Sequence, residues 1–169
     1  QLLSALHKAI RIQGGEIRGN TVVEDIRPGT GGYEVRSGRA RWRAERVIIA
    51  AGIASGDLGR LVGLNVPVRA QRGQVLVTQR LAPLLPLPCS GLRQTAEGTI
   101  MIGATKEEVG ADVSATTRAS AWLSRKTVEI APDLARAQLV RHWSGLRIMT
   151  PDGHPVYAQS EEHPGIFVA

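Results

Sequence analysis

At 169 residues, 43% hydrophobic and 21% charged, the chain is long enough to bury a core, which excludes disordered and collagen-like classes. Its single cysteine, Cys89, excludes a disulfide framework or a cysteine-rich zinc site, and no apolar run approaches the roughly 18–20 residues that span a bilayer. The net charge of +6 invites a nucleic-acid partner, but aromatics make up only 4% of the residues, too few for base-stacking platforms, so none is expected.

No basic segment followed by an apolar one opens the chain, so a cytoplasmic location is expected. Leu2, Leu3, Leu6, Ile10 and Ile12 recur near helical spacing, which predicts an amphipathic helix over residues 1–13, with Gly14 and Gly15 at its C-cap. Short β-type segments follow at 16–18, 21–27, 33–37 and 39–44, broken by glycine-rich turns, the pattern of a β-meander. Arg36, Arg39, Arg41, Arg43 and Arg46 cross this meander and read as a solvated face. Residues 46–51 form a continuous apolar strand, which points to burial on both faces in a parallel sheet. Gly52 closes it, and a short helix through Leu61 follows.

Residues 67–80 read as a long strand, 81–88 as a proline-rich loop, and 92–95 with 99–105 as a hairpin around Glu97–Gly98. A helix capped by Thr116 or Thr117 runs to Ile130 and stops at Pro132. Residues 139–143 are a further strand, and 166–169 are an apolar strand. The mixture is α+β. A natural division puts 1–66 and 150–169 in one layer and 67–149 in an inserted antiparallel sheet. The chain starts in a helical pattern with no cap ahead of Gln1 and stops within a strand, so it reads as a piece of a longer protein.

Few residues carry chemistry on their own. Gly29–Gly32 lacks G-x-G-x-x-G spacing and reads as a hairpin turn. Ala50, Ala51 and Gly52 would let a backbone approach a cofactor closely, or simply make a tight strand-to-helix junction. Four histidines, His7, His142, His154 and His163, show no paired-ligand spacing, so no metal site is expected. Cys89 has no adjacent group to depress its pKa and reads as a buried or tolerated thiol. The segment His142–Arg147 is more informative. Trp, Gly and Arg at the end of an apolar strand suit a carboxylate pocket, with a bidentate guanidinium clamp and an indole that excludes water. An arginine on a solvated edge beside an ordinary turn would read the same way.

At these residues the chain resembles the D-amino-acid-oxidase-like family of FAD-dependent amine and amino-acid oxidoreductases, which includes glycine oxidase and sarcosine oxidase. Trp143–Pro155 resembles its W-[AS]-G-L-R-x-x-T-x-D-G-x-P segment. Residues 47–52, 67–75 and 98–105 resemble, in the same order, the second flavin-contacting strand, the strand entering the substrate domain and a hairpin of that domain. Residues 92–95, 147–153 and 157–160 look most like the branch containing opine oxidase and hydrogen cyanide synthase subunits. That branch implies other oxidoreductase subunits as partners, some carrying iron–sulfur centres.

The resemblance implies a Rossmann-like FAD-binding domain, in part, with an inserted antiparallel β-sheet substrate domain. FAD would lie against Val23, Ala51 and Gly52, and Arg147 would anchor the carboxylate of a small amino-acid or amine substrate. No side chain stands out as a general base. The family's N-terminal G-x-G-x-x-G is not found in the chain, so these residues alone are not expected to hold FAD or be active. Gly91 stands where glycine oxidase has a pocket tyrosine, and Ala54 where relatives often have a tryptophan. The other readings are a cofactor-free binding or subunit-assembly module of the same fold and, more remotely, a basic nucleic-acid-binding domain.

Overall fold

The computed structural model describes residues 2–169. It is a mixed α+β structure with two compact units, Gln1–Val66 with Val156–Ala169, and Pro67–Pro155. Among the described residues no helix is long and apolar enough to cross a membrane.

In the first unit, α1 (Leu2–Ile12) ends in a Schellman motif: Gly15 N–H donates to Ile10 O at 2.9 Å, Gly14 N–H donates to Arg11 O at 3.1 Å, and Gly14 takes φ +81°. The helix buries none of its residues, and its apolar side chains Leu2, Leu3 and Ile12 are exposed. Strands β1 (Asp25–Gly29), β2 (Gly32–Ser37) and β3 (Ala40–Ala44) form an antiparallel meander in the order β1-β2-β3. Three of its arginines are paired as well as solvated: Arg41 and Arg43 lie 3.5 and 3.9 Å from Glu34, and Arg36 lies 3.8 Å from Asp25. The β-type segment read at 16–18 is not a strand, and the one at 21–27 begins only at Asp25.

Strand β4 (Val47–Ile49) pairs in parallel with β10 (Ile166–Val168), which also pairs antiparallel with β9 (Ala158–Gln159). The parallel pairing fits the continuous apolar run, but burial on both faces does not hold. Ile49 is buried while Ile48 is 67% exposed, because only one face of this short sheet is packed against other described residues. Gly52 (φ +63°) turns the chain into a 3-10 turn and the short helix α2 (Ser55–Arg60).

The second unit is a four-stranded antiparallel sheet in the order β6-β7-β5-β8. Its members are β5 (Arg69–Arg80), β6 (Leu92–Gln94), β7 (Thr99–Gly103) and β8 (Leu139–Met149). Helix α3 (Thr117–Ile130) covers one face and completes a core of Leu76, Leu92, Ile100, Ile102, Leu123 and Leu134. Thr116 caps this helix, its hydroxyl accepting from Ala119 N–H at 3.3 Å. Strand β8 runs six residues past the expected end at Trp143. It pairs with β5 along its whole length, so Trp143–Arg147 sits inside a strand and not at its end.

Candidate active site

Side chains alternate across β5, so Arg72, Gln74, Leu76 and Thr78 turn to the α3 face while Gly73, Val75 and Val77 take the opposite face. Register extends that second face across the sheet. Gly145 pairs with Gly73, Gly103 and Trp143 with Val75, Met101 with Val77, and Arg93 with Met101. Arg147 lies two residues beyond Gly145 on the same face. A cavity of about 610 Å³ opens here, with Val75, Met101, Gly91, Cys89, Arg93 and Arg147 in its lining.

The Arg147 guanidinium lies against the bare backbone of Gly73. A Cβ at Gly73 would stand 2.5 Å from Nη1 and 2.8 Å from Cζ. Nη1 donates to the carbonyl of Thr105 at 3.1 Å. Thr105 is fixed in turn. Its hydroxyl accepts from Gln74 N–H at 2.9 Å and donates to Glu107 Oε1, and its own N–H donates to Gln74 O at 3.3 Å.

Behind Thr105 lies a polar network that the sequence reading did not anticipate. Arg72, only 4% exposed, donates to Glu107 at 2.8 Å and pairs with Asp112 and Ser114. Gln74, fully buried, donates to Glu107 at 2.8 Å and accepts from Thr116 N–H at 2.7 Å and, at 3.0 Å, from His142 Nε2. Burial opposes the Glu107 carboxylate, but hydrogen bonds from Thr105, Arg72 and Gln74, with the charge of Arg72, hold its pKa below the usual range. The available signal was polar residues at alternate positions of a strand whose next two inward residues are Leu76 and Thr78.

One expectation about this face changes. Trp143 does not shield Arg147; its ring carries Arg141, whose Cζ lies 5.0 Å from the centroid, a cation–π contact. The apolar wall of the cavity is instead Val75 and Met101. Of the two readings of Cys89 the tolerated thiol fits, since it is exposed at the cavity rim in the proline-rich loop. Gly91 takes φ +90°, and a Cβ there would stand 2.6 Å from Gly103 O, so no side chain fits at that point of the cavity wall.

Val23, Ala51 and Gly52 all belong to the first unit, and Arg147 to the second. Val23 is half-buried in the extended stretch leading into β1. Ala51 is exposed at the carboxyl end of β4, where its N–H donates to Ser55 Oγ at 3.1 Å, and Gly52 turns the chain away. Small side chains at Ala50 and Ala51 and the turn at Gly52 leave this strand end open to a planar group, so the residues present fit a flavin. Among the described residues no cluster of three or more His, Cys, Asp and Glu is placed to hold a metal ion.

The family model for DAO, FAD dependent oxidoreductase, matches residues 1–169. The chain belongs to that family. It is 38% identical over 168 residues to an opine oxidase subunit from Agrobacterium tumefaciens, covering 99% of this chain and 45% of that protein. It is 34% identical over 176 residues to the hydrogen cyanide synthase subunit HcnC from Pseudomonas aeruginosa, covering 100% of this chain and 42% of that protein. The crystal structure of glycine oxidase from Geobacillus kaustophilus superposes with a TM-score of 0.86 at 28% identity, over 98% of this chain and 46% of that one. The chain thus spans about half the length of the curated relatives it matches.

Proposed function

We propose that the chain forms part of a cytoplasmic FAD-dependent oxidoreductase that oxidises the C–N bond of an amino acid, secondary amine or opine-like substrate. The observation that carries this reading is the seating of Arg147, its guanidinium flat on Gly73, tied to Thr105 O and lining the cavity. The first unit is read as part of the FAD-binding domain, with Val23, Ala51 and Gly52 against the cofactor. The second is read as the inserted substrate domain.

FAD, when bound, accepts the hydride from the substrate C–H beside the amine nitrogen. The chain's own residues bind and orient. Arg147 offers a planar two-donor fork to the substrate carboxylate, and the Thr105 carbonyl keeps that fork from swinging. Val75 and Met101 give the cavity an apolar wall on the same face as the guanidinium. None of the described lining residues is a carboxylate or an imidazole, so the chain contributes positioning, and the reactive amine is the form of the substrate already deprotonated. The opine oxidase relative and HcnC are both named as subunits, which supports assembly with other oxidoreductase chains. A partner with an iron–sulfur centre is the one implied by the branch.

Steady-state kinetics of the flavin-loaded protein on matched acid and decarboxylated amine pairs, glycine against methylamine among them, test the assignment. Arg147→Ala is expected to weaken the acids by at least about tenfold, the worth of a charge-assisted pair. Arg147→Lys restores only part, since an ammonium cannot form the fork. Equal losses within each pair would make Arg147 structural. A full-length protein without a flavin absorption spectrum would favour the cofactor-free module.

A further inference from the structure

We infer that Glu107 is a positioning residue for the substrate anchor: it holds Thr105 where the Thr105 carbonyl can fix Arg147. This inference rests on the reading of Arg147 as the carboxylate anchor. Glu107 does not line the cavity that Arg147 lines. It lies on the α3 side of the sheet, beside Thr116 and Ala119.

The chain between β7 and Glu107 holds one residue too many for regular pairing with β5. Val75 pairs with Gly103 and Arg72 with Glu107, so residues 104–106 stand opposite Gly73 and Gln74 alone. Such a bulge disrupts the ladder locally and re-aims the groups within it. Here the Thr105 carbonyl accepts from a side chain, Arg147 Nη1, at 3.1 Å.

Glu107 pins that bulge with its backbone and its carboxylate together. Its N–H donates to Arg72 O and its carbonyl accepts from Arg72 N–H, both at 2.9 Å. Its carboxylate accepts from Arg72 Nη2 and Gln74 Nε2, each at 2.8 Å, and from the Thr105 hydroxyl. That hydroxyl accepts in turn from Gln74 N–H at 2.9 Å. Arg72 and Gln74 are buried, so these donors depend on protein acceptors and hold the carboxylate to one place.

Three successive residues of β5 thus share one task. Arg72 and Gln74 grip Glu107 on one face, and Gly73 between them seats the guanidinium on the other. Arg147 is fixed to β5 twice, by contact with Gly73 and through Thr105 and Glu107. Without the second support the fork regains freedom that substrate binding must then remove. Its charge stays in the cavity, so the loss falls short of removing Arg147 itself.

The test uses the flavin-loaded full-length protein with glycine against methylamine and sarcosine against dimethylamine, reading the acid-to-amine ratio of kcat/KM. Destabilisation alone lowers both members of a pair and cancels in the ratio. Thr105→Val, which deletes the hydroxyl, and Glu107→Gln should each lower the ratio at least about threefold, chiefly through KM for the acid. Thr105→Ser, which keeps the hydroxyl, should stay within about twofold of the unsubstituted protein. In an Arg147→Ala background, Thr105→Val and Glu107→Gln should shift the ratio by less than about twofold, since the group they position is gone. The inference is overturned if either substitution leaves the ratio unchanged while Arg147 is present, or lowers it equally when Arg147 is absent. If Arg147→Ala alone leaves the ratio unchanged, the anchor reading itself fails.

Discussion

The two units of the chain spend similar residues on different ends. The Pro67–Pro155 unit turns Leu76, Ile100, Ile102 and Leu123 into one core between a sheet and α3, and lets the opposite sheet face carry the cavity. In the other unit, Ile166, Val168, Ile49 and Val62 are buried, yet Leu2, Leu3 and Ile12 of α1 and Ile48 of β4 remain exposed. Patterning was equally good in both. The difference is whether a second layer stands opposite each apolar face, since amphipathicity stabilises an element only where there is something to pack against.

That contrast can be broken most sharply in the core. Ile100→Ala removes a fully buried side chain and should cost roughly 2–5 kcal/mol, whereas Leu3→Ala, at a residue 66% exposed, should stay within about 0.5 kcal/mol. Denaturant midpoints of the two variants measure both. A comparable loss at Leu3 would show that α1 is packed in solution and that the contrast between the units is smaller than described.

The next effect is electrostatic and confined to the Pro67–Pro155 unit. Because the folded-state pKa of Glu107 is depressed, its stabilising contribution is complete above the unfolded value of about 4.3 and is lost as pH falls through the lower folded value. Glu107→Gln keeps much of the hydrogen-bonding shape but leaves the buried Arg72 with Asp112 as its remaining counter-charge. It should destabilise by about 1–3 kcal/mol at pH 7 and by less near pH 3. Stability curves against pH that run parallel for the two proteins would remove Glu107 from the account of acid sensitivity.

Thr116→Ala sharpens the comparison at the smallest scale. α3 has a side-chain cap, and losing it should cost about 1 kcal/mol. The loss should appear as faster amide exchange at the first turn of α3. Unchanged exchange there would mean that the buried contacts of Leu123 and Thr127, not the cap, set the stability of that end.

Local chemistry was legible where it is self-contained. Thr116 announces a cap, Gly14–Gly15 announces a helix end, and Glu97–Gly98 sits at a hairpin that the structure contains. The meander was legible too, apart from its first segment. Strand length was harder to read. Gly145 and Ser144 looked like an ending because their value lies across the sheet, in pairing with Gly73 and Gln74. The same holds for the site. Arg147 stood out as an arginine in a recognisable segment, but its supports, Gly73 and Thr105, are remote in sequence and carry no charge to mark them. A glycine inside an otherwise regular strand was the one sign of a close approach.

Gly73 and Gly91 have a practical consequence for anyone seeking to alter what the cavity accepts. At Gly91 the cavity wall is main chain and a side chain would meet the carbonyl of Gly103, while a side chain at Gly73 would meet the guanidinium of Arg147. A mutagenesis library that samples position 91 will therefore mostly return damaged proteins, whereas one at position 73 displaces the Arg147 side chain and with it the proposed anchor. Diversity is better placed at Met101, Ser90 and Val75, whose side chains already line the space.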